Sequence, residues 1–358
     1  MIGDQVVNRP SRWAIFCKVI DNYGDAGVCW RLAQQLAGQY GFAVDLYIDL
    51  AGVIERFGQY WQYAETGQCL RPAIRVLPWP DLPSTIEPCS PPLGAPDYAM
   101  IVAAFAVELP ASWQTQMSGR RSGTWFNLEY LSAEVWVADF HLRTSIKPMS
   151  TACETFYFPG FGQGTGGLLR EPWMPVKHIE AKSPRNHLCI SVFCYANAPL
   201  QQLLNRLEGN KVTVKLAASG WDYEVTLPNH STITLECLPF LSQNDYDQLL
   251  AACDLNFVRG EDSLVRAIWA GRPFVWQIYR QADNAHATKL AALLDIWSTG
   301  ACAPLRQVVT GIHAWWNELD ASEVQINGLI EQLPAWQTHA IERCDALSQE
   351  PEIGRAHV

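Results

Sequence analysis

Apolar positions along this chain fall into short unbroken runs that alternate with stretches of helical spacing. Trp13–Ile20 (WAIFCKVI) is an apolar run of strand length. Asp21–Gly27 (DNYGDAG) is dense in turn formers. Val28–Tyr40 then carries Val28, Leu32 and Leu36 with Ala33 and Ala37 beside them, the spacing of one helix face. Phe42–Leu50, Tyr98–Phe105 and Trp125–Tyr130 read as further strands, and the proline-rich Pro78–Pro96 as an irregular loop. The polar stretch Glu180–Asn186 (EAKSPRN) is a break, after which the alternation restarts. His187–Tyr195, Val212–Ala218, Thr232–Phe240, Leu255–Val258 and Pro273–Ile278 read as strands, Asp245–Ala252 and Ser263–Ala270 as helices. Beyond Asn284 the pattern is mostly helical.

Two successive strand–helix series predict an α/β protein with two open sheets and right-handed crossovers. Ligands of such sheets sit beyond the carboxyl ends of the strands. The length of 358 residues agrees with two domains. An apolar fraction of 49% against 17% charged residues provides for full cores. The net charge of −10 argues against nonspecific nucleic-acid or anionic-membrane binding, though a local basic pocket stays open. Eleven cysteines, an odd number, include Cys17, Cys189, Cys194 and Cys237 inside apolar runs, as expected of free buried thiols in a reducing cytosol. No C-x-x-C or Cys/His spacing suggests zinc. Neither a signal peptide nor an apolar run of ~18 residues is visible. The expectation is a cytoplasmic protein without nucleic-acid or membrane partners.

Chemistry is expected at strand ends. Asp21 and Asp25 flank Asn22, Tyr23 and Gly24 directly after the first strand, where two carboxylates can supply a base and a group that orients it. A plain turn or helix N-cap explains the same residues and stays open here. Gly24 and Gly27 do not make the G-x-G-x-x-G of dinucleotide binders. In Val258–Tyr279, the strand expected to end at Val258 is followed by Arg259, Gly260, Glu261, Asp262 and Ser263, then by an apolar helix. A helix N-terminus offers backbone N–H groups and positive dipole to a diphosphate, and Arg259 adds a bidentate contact. Capping by Asp262 or Ser263 is the alternative. Phe193 and Tyr195 end the first strand of the second series, and Phe240 and Gln243 follow a later one. Aromatic rings can sandwich a pyrimidine and an amide can read its edge, although Phe193 and Phe240 also suit a core. His286 could lie near a cleft but equally suits core or surface, and neither His141 nor His178 has an evident partner.

Phe16–Leu32 (FCKVIDNYGDAGVCWRL), Trp125–Glu134 (WFNLEYLSAE), Pro159–Phe161 (PGF), Thr165–Glu171 (TGGLLRE) and Arg259–Tyr279 together resemble the elongation factor P arginine rhamnosyltransferases, in the same order along most of the chain. The resemblance implies a GT-B fold, with two Rossmann-like domains facing a central cleft. It implies an N-terminal acceptor-side domain over 1–182, a nucleotide-sugar domain over 183–335, and a C-terminal helix, 336–358, returning towards the first domain. It also implies transfer of L-rhamnose from dTDP-β-L-rhamnose to an arginine of elongation factor P, inversion at the anomeric carbon, and no metal or other cofactor. By matching positions, Asp25 stands for the general base, Asp21 for a second loop carboxylate and Glu261 for an essential glutamate. Asn22, Tyr23, Gly24, Phe193, Tyr195, Phe240, Gln243, Arg259, Gly260, Asp262 and Ser263 stand for donor-binding positions. Departures are Gly162–Gly164 (GQG), less charged than the pattern, and Ser242 where proline is usual. A GT-B transferase with another protein or small-molecule acceptor is the alternative. A non-catalytic sugar-nucleotide sensor is a third reading, disfavoured by the joint presence of Asp21, Asp25 and Glu261.

Overall fold

The computed structural model describes residues 11–19, 24–49, 74–79, 98–110, 113–114, 124–147, 152–171, 187–218, 223–280, 284–319 and 326–350. Its contacts divide the chain into two compact units. The first contains β1 (Arg12–Cys17), α1 (Gly24–Tyr40), β2 (Ala43–Ile48), β3 (Ile74–Pro78), β4 (Met100–Ala104), β5 (Trp125–Leu128), α2 (Val137–Phe140), β6 (Thr144–Ile146) and β7 (Cys153–Tyr157). Its seven strands are ordered β3-β2-β1-β4-β5-β7-β6, parallel except for the antiparallel β6–β7 pair. The second contains β8 (Leu188–Val192), α3 (Leu200–Leu207), β9 (Val212–Ala217), β10 (Ile233–Leu238), α4 (Gln243–Ala252), β11 (Leu255–Arg259), α5 (Gly260–Trp269), β12 (Phe274–Gln277), α6 (Ala285–Trp297), α7 (Ala303–Trp316) and α8 (Ile326–Ser348). Its sheet is fully parallel in the order β10-β9-β8-β11-β12.

Both sheets reverse direction of growth once, between β1 and β4 in the first unit and between β8 and β11 in the second. Such switch points open a crevice at the strands' carboxyl ends, where α/β proteins bind ligands. Continuous apolar runs form these strands because both sheet faces are covered. Trp13, Ile15 and Cys17 of β1 pack into one core with Ala26, Cys29, Leu32 and Leu36 of α1. Ala14 and Phe16, pointing the other way, pack with Tyr47, Trp79 and Trp113.

Two ionic links, each built on a buried carboxylate, tie the first unit together. Asp45, fully buried on β2, accepts bonds from Arg75 Nε and Nη2 (2.7 and 2.6 Å), Arg12 Nη1 (3.0 Å) and the Tyr98 hydroxyl (2.6 Å). Burial raises the Asp45 pKa, but Arg75, Tyr98 and Arg12 together hold it below the usual carboxylate value. Arg31 on α1 pairs with Glu171 (3.1 Å), and Gln35 Nε2 donates to the Arg170 carbonyl (2.9 Å). The Thr165–Glu171 segment is thereby clipped along α1. Within it, a Cβ on Gly166 would lie 2.2 Å from the Tyr157 ring, whose hydroxyl donates to the Gly166 carbonyl.

Several expected boundaries shift. β1 stops at Cys17, and α1 begins at Gly24, so Gly24–Gly27 are helical rather than turn. β8 and β10 are shorter than expected, leaving Phe193, Tyr195 and Phe240 beyond their strands. No loop separates β11 from α5: Arg259 is the last strand residue and Gly260 the first helical one, at φ +66°. β3, β6, β7, α2 and α3 were not expected. α8 runs without interruption from Ile326 to Ser348 through Pro334. Residues 172–186, which hold the expected 182/183 boundary, and 351–358 lie outside the described residues, as does most of the Pro78–Pro96 stretch. No described helix is long and apolar enough to cross a membrane.

Candidate active site

Around the switch point of the second sheet the structure gathers three of the expected residues. β8 delivers Phe193 and Tyr195, and β11 ends in Arg259. The Arg259 guanidinium carbon lies 4.4 Å from the Phe193 ring centroid and 4.7 Å from that of Tyr195. A planar cation between two aromatic faces is held by their quadrupoles while its edge keeps its donors in one plane. Arg259 is only 6% exposed. Both rings, weighed from the sequence as pyrimidine contacts or core residues, lie against Arg259.

The turn into α5 comes next. Arg259 N–H donates to Ser263 Oγ (3.0 Å), and the Ser263 hydroxyl donates back to the Arg259 carbonyl. Ser263 therefore braces the strand end from inside the helix instead of serving as the N-cap, which is Arg259 itself. Gly260 takes the left-handed backbone that this abrupt turn requires. Its carbonyl accepts the Trp276 indole N–H (2.8 Å). Glu261 and Asp262 are half-buried in the first helical turn, on the positive end of the dipole.

Phe240 and Gln243 sit at the β10–α4 junction, Phe240 40% exposed and Gln243 the first residue of α4. Ser242 caps that helix, accepting the Asp245 N–H (3.0 Å) and donating to Asp245 Oδ2 (2.6 Å). Its φ of −64° is also what proline would impose. Arg266 of α5 makes a two-pronged bond to Asp247 of α4, 3.0 Å at each prong, which locks the two helices together. Tyr246 of α4 meets Phe193 edge to face at 5.6 Å. Burial pushes the Tyr246 phenol up, so it stays protonated.

In the first unit, Asp25 is buried in the first turn of α1, at the switch point after β1. A carboxylate there is stabilised by the helix dipole. The Cys17 thiol that ends β1 is pushed well up, first by its hydrogen bond with Cys29, then by burial and by the charges of Asp25 and Asp49. Asp21, Asn22 and Tyr23 lie outside the described residues, while Gly24 opens α1. Gly162 and Gly164 take left-handed φ of +97° and +81°, so the uncharged GQG serves a turn.

Of the three histidines weighed from the sequence, two are described. His141 Nδ1 accepts the Phe158 N–H (3.1 Å), and burial lowers its pKa. His286 is buried on α6, and His178 lies outside the described residues. Sequence reasoning missed Trp276, Gln277, Tyr246 and the Arg266–Asp247 pair. Their one visible signal was polar or amphipathic residues inside segments read only as strand and helix.

Two Rossmann-like units, each built on a sheet with one switch point, make up the GT-B fold of glycosyltransferases. A solved MurG from Acinetobacter baumannii shares this fold (TM-score 0.51, 11% identity, covering 95% of this chain and all of that one). The description "Elongation-Factor P (EF-P) rhamnosyltransferase EarP" belongs to the family whose model matches residues 13–357, and the chain is a member of that family. The protein-arginine rhamnosyltransferase of Pseudomonas aeruginosa is 35% identical over 372 aligned positions, covering 95% of this chain and 96% of its own. That of Pseudomonas putida is 36% identical over 344, covering 85% and 86%. A solved structure concerned with EarP-mediated arginine glycosylation of translation elongation factor EF-P matches with TM-score 0.60 and 25% identity, covering 97% of each chain.

Proposed function

We propose that this enzyme transfers L-rhamnose from dTDP-β-L-rhamnose to an arginine side chain of elongation factor P, with inversion and without a metal. The observation that carries the donor half is Arg259, held between Phe193 and Tyr195 directly before the N-terminus of α5. That combination is a preorganised diphosphate site: a fixed guanidinium and the amides of a helix N-terminus meet charge growing on the leaving group. The acceptor half is supported by the names of the relatives.

In this reading a guanidinium nitrogen attacks the anomeric carbon as the bond to the diphosphate oxygen breaks. The arginine pKa lies above ~12, so its nitrogen is a poor nucleophile until a carboxylate takes the departing proton or localises the lone pair. Asp25 is assigned that task, Asp21 the orientation of the guanidinium or the loop, and Glu261 a further essential role. Positive charge for the diphosphate comes from Arg259 and the α5 amides, which replaces what a metal would supply. Phe240 and Gln243 are assigned to the thymine, and Gly260, Asp262 and Ser263 to the sugar-diphosphate end. The acceptor is a translation factor and the described cysteines are free thiols, which fits a cytoplasmic reaction.

Intact-mass measurement of elongation factor P after incubation with this enzyme and dTDP-rhamnose tests the proposal. One added deoxyhexosyl group on arginine is the expected outcome. An unmodified acceptor, with donor consumed by addition to another molecule, would overturn the acceptor assignment.

A further inference from the structure

The sheet pairing that carries the donor side ends abruptly. β8 pairs with β11 in parallel, and the last amide of that ladder is Phe193 N–H, donating to the Phe257 carbonyl (2.9 Å). Ladder bonds on one strand edge recur every second residue. The next donor is Tyr195 N–H, and the next acceptor would be the Arg259 carbonyl. The chain has already turned into α5 there, and that carbonyl takes the Ser263 hydroxyl. A buried amide needs another partner.

Gln277 is that partner. Its Oε1 accepts the Tyr195 N–H at 2.8 Å, and its Nε2 donates to Asn197 Oδ1 at 3.3 Å. Gln277 is the last residue of β12, 2% exposed, and the register neighbour of Arg259. Because β11 lies between β8 and β12, the side chain crosses the end of the strand that carries Arg259. One amide therefore holds two points of the Phe193–Asn197 loop, over the residue whose guanidinium that loop's rings enclose. The residue after Gln277 is fixed in turn: Asn317 Oδ1 accepts the Ile278 N–H (3.0 Å), and Asn317 Nδ2 donates to the Trp276 carbonyl (2.8 Å).

We infer that Gln277 is a positioning residue for the donor site, holding Tyr195 where its ring closes over the Arg259 guanidinium. The inference rests on the reading of that guanidinium as the diphosphate contact. Gln277→Met keeps length and burial but removes both bonds. Loss of one such oriented bond pair should weaken dTDP binding about tenfold and raise KM for the donor. KM for the protein acceptor should stay unchanged. The double variant Gln277→Met/Tyr195→Leu should bind dTDP no more weakly than Tyr195→Leu alone, because both act through one contact.

Calorimetric titration with dTDP, which reports affinity separately from the active fraction, makes the test. Wild-type protein with no dTDP affinity would sink the donor reading and this inference with it. Wild-type binding together with unchanged affinity in folded Gln277→Met would overturn the inference alone. So would additive losses in the double variant, the mark of a merely structural role. If Gln277→Met does not fold, the exposed Asn197→Ala removes the amide's second anchor. An affinity about two- to threefold weaker supports the positioning role, and an unchanged one refutes it.

Discussion

Replacing Phe193 with leucine separates two tasks an aromatic ring can perform at a nucleotide-sugar site: stacking on the base and holding a cation. Leucine keeps the apolar burial and removes the quadrupole. The guanidinium lies 4.4 Å from this ring and 4.7 Å from Tyr195, so one of two clamping faces is lost. A cation–π contact contributes about 0.5–1 kcal/mol when exposed and about 2 when desolvated. Arg259 is 6% exposed but Phe193 is half-buried, which places the loss at about 1–2 kcal/mol. Carried fully into binding, that is about 5- to 30-fold. Since the ring acts through Arg259, the loss should be the same for dTDP and for inorganic pyrophosphate, measured by calorimetry and by competition. Phe240→Ala should give the opposite pattern. Its ring is 40% exposed, and losing a base stack costs about 1–3 kcal/mol for dTDP with pyrophosphate untouched. If Phe193→Leu weakens dTDP yet leaves pyrophosphate unchanged, the clamp argument is wrong and Phe193 is a base-stacking residue.

Asp25→Asn keeps size and removes the proton acceptor, so single-turnover rhamnosylation should fall by at least ~10²–10⁴-fold with dTDP-rhamnose affinity nearly constant; near-normal turnover would remove Asp25 from the mechanism. EDTA should leave the rate unchanged, and activity that disappears with chelator and returns with magnesium or manganese would refute the metal-free reading. Asp45 has a folded pKa below its unfolded one, so the unfolded chain binds more protons and stability rises with pH in that window. The contribution is complete above the unfolded carboxylate pKa and disappears as pH falls through the folded one. Asp45→Asn should flatten the acid limb of a melting-temperature profile, and an unchanged acid limb would count against the Arg75–Tyr98–Arg12 network.

Much of the fold was legible in the order of residues. β1, β4, β8 and β11 lie inside the two sheets and are covered on both faces, so they had to be continuous apolar runs; β12, an edge strand whose four residues are all buried, was just as visible. β3, β6 and β7 were not. β3 is an edge strand with half-exposed positions, β6 has three residues, and β7 breaks its apolar run with Glu154, buried through Asn127 and Lys147 on other segments, and with Thr155. The junction was also legible: the order of residues put Arg259 and Gly260 at the passage from a strand to a helix, and the structure has Arg259 ending β11 and Gly260 opening α5.

Who encloses that arginine was not legible. Phe193, Tyr195 and Arg259 meet only because the sheet order sets β8 beside β11, and that order is settled by packing over the whole unit. Local spacing carries no trace of it. Gln277 was still less visible. One partner is a backbone N–H, which every residue except proline possesses, and the other, the Asn197 amide, carries nothing in its local sequence that points to a strand 80 residues on. The sequence by itself determined which side chains carry charge, rings and donors, and which strand ends they follow. The tertiary structure alone decided that the rings grip a guanidinium, because such contacts depend on the neighbour across the sheet and not on the neighbour along the chain.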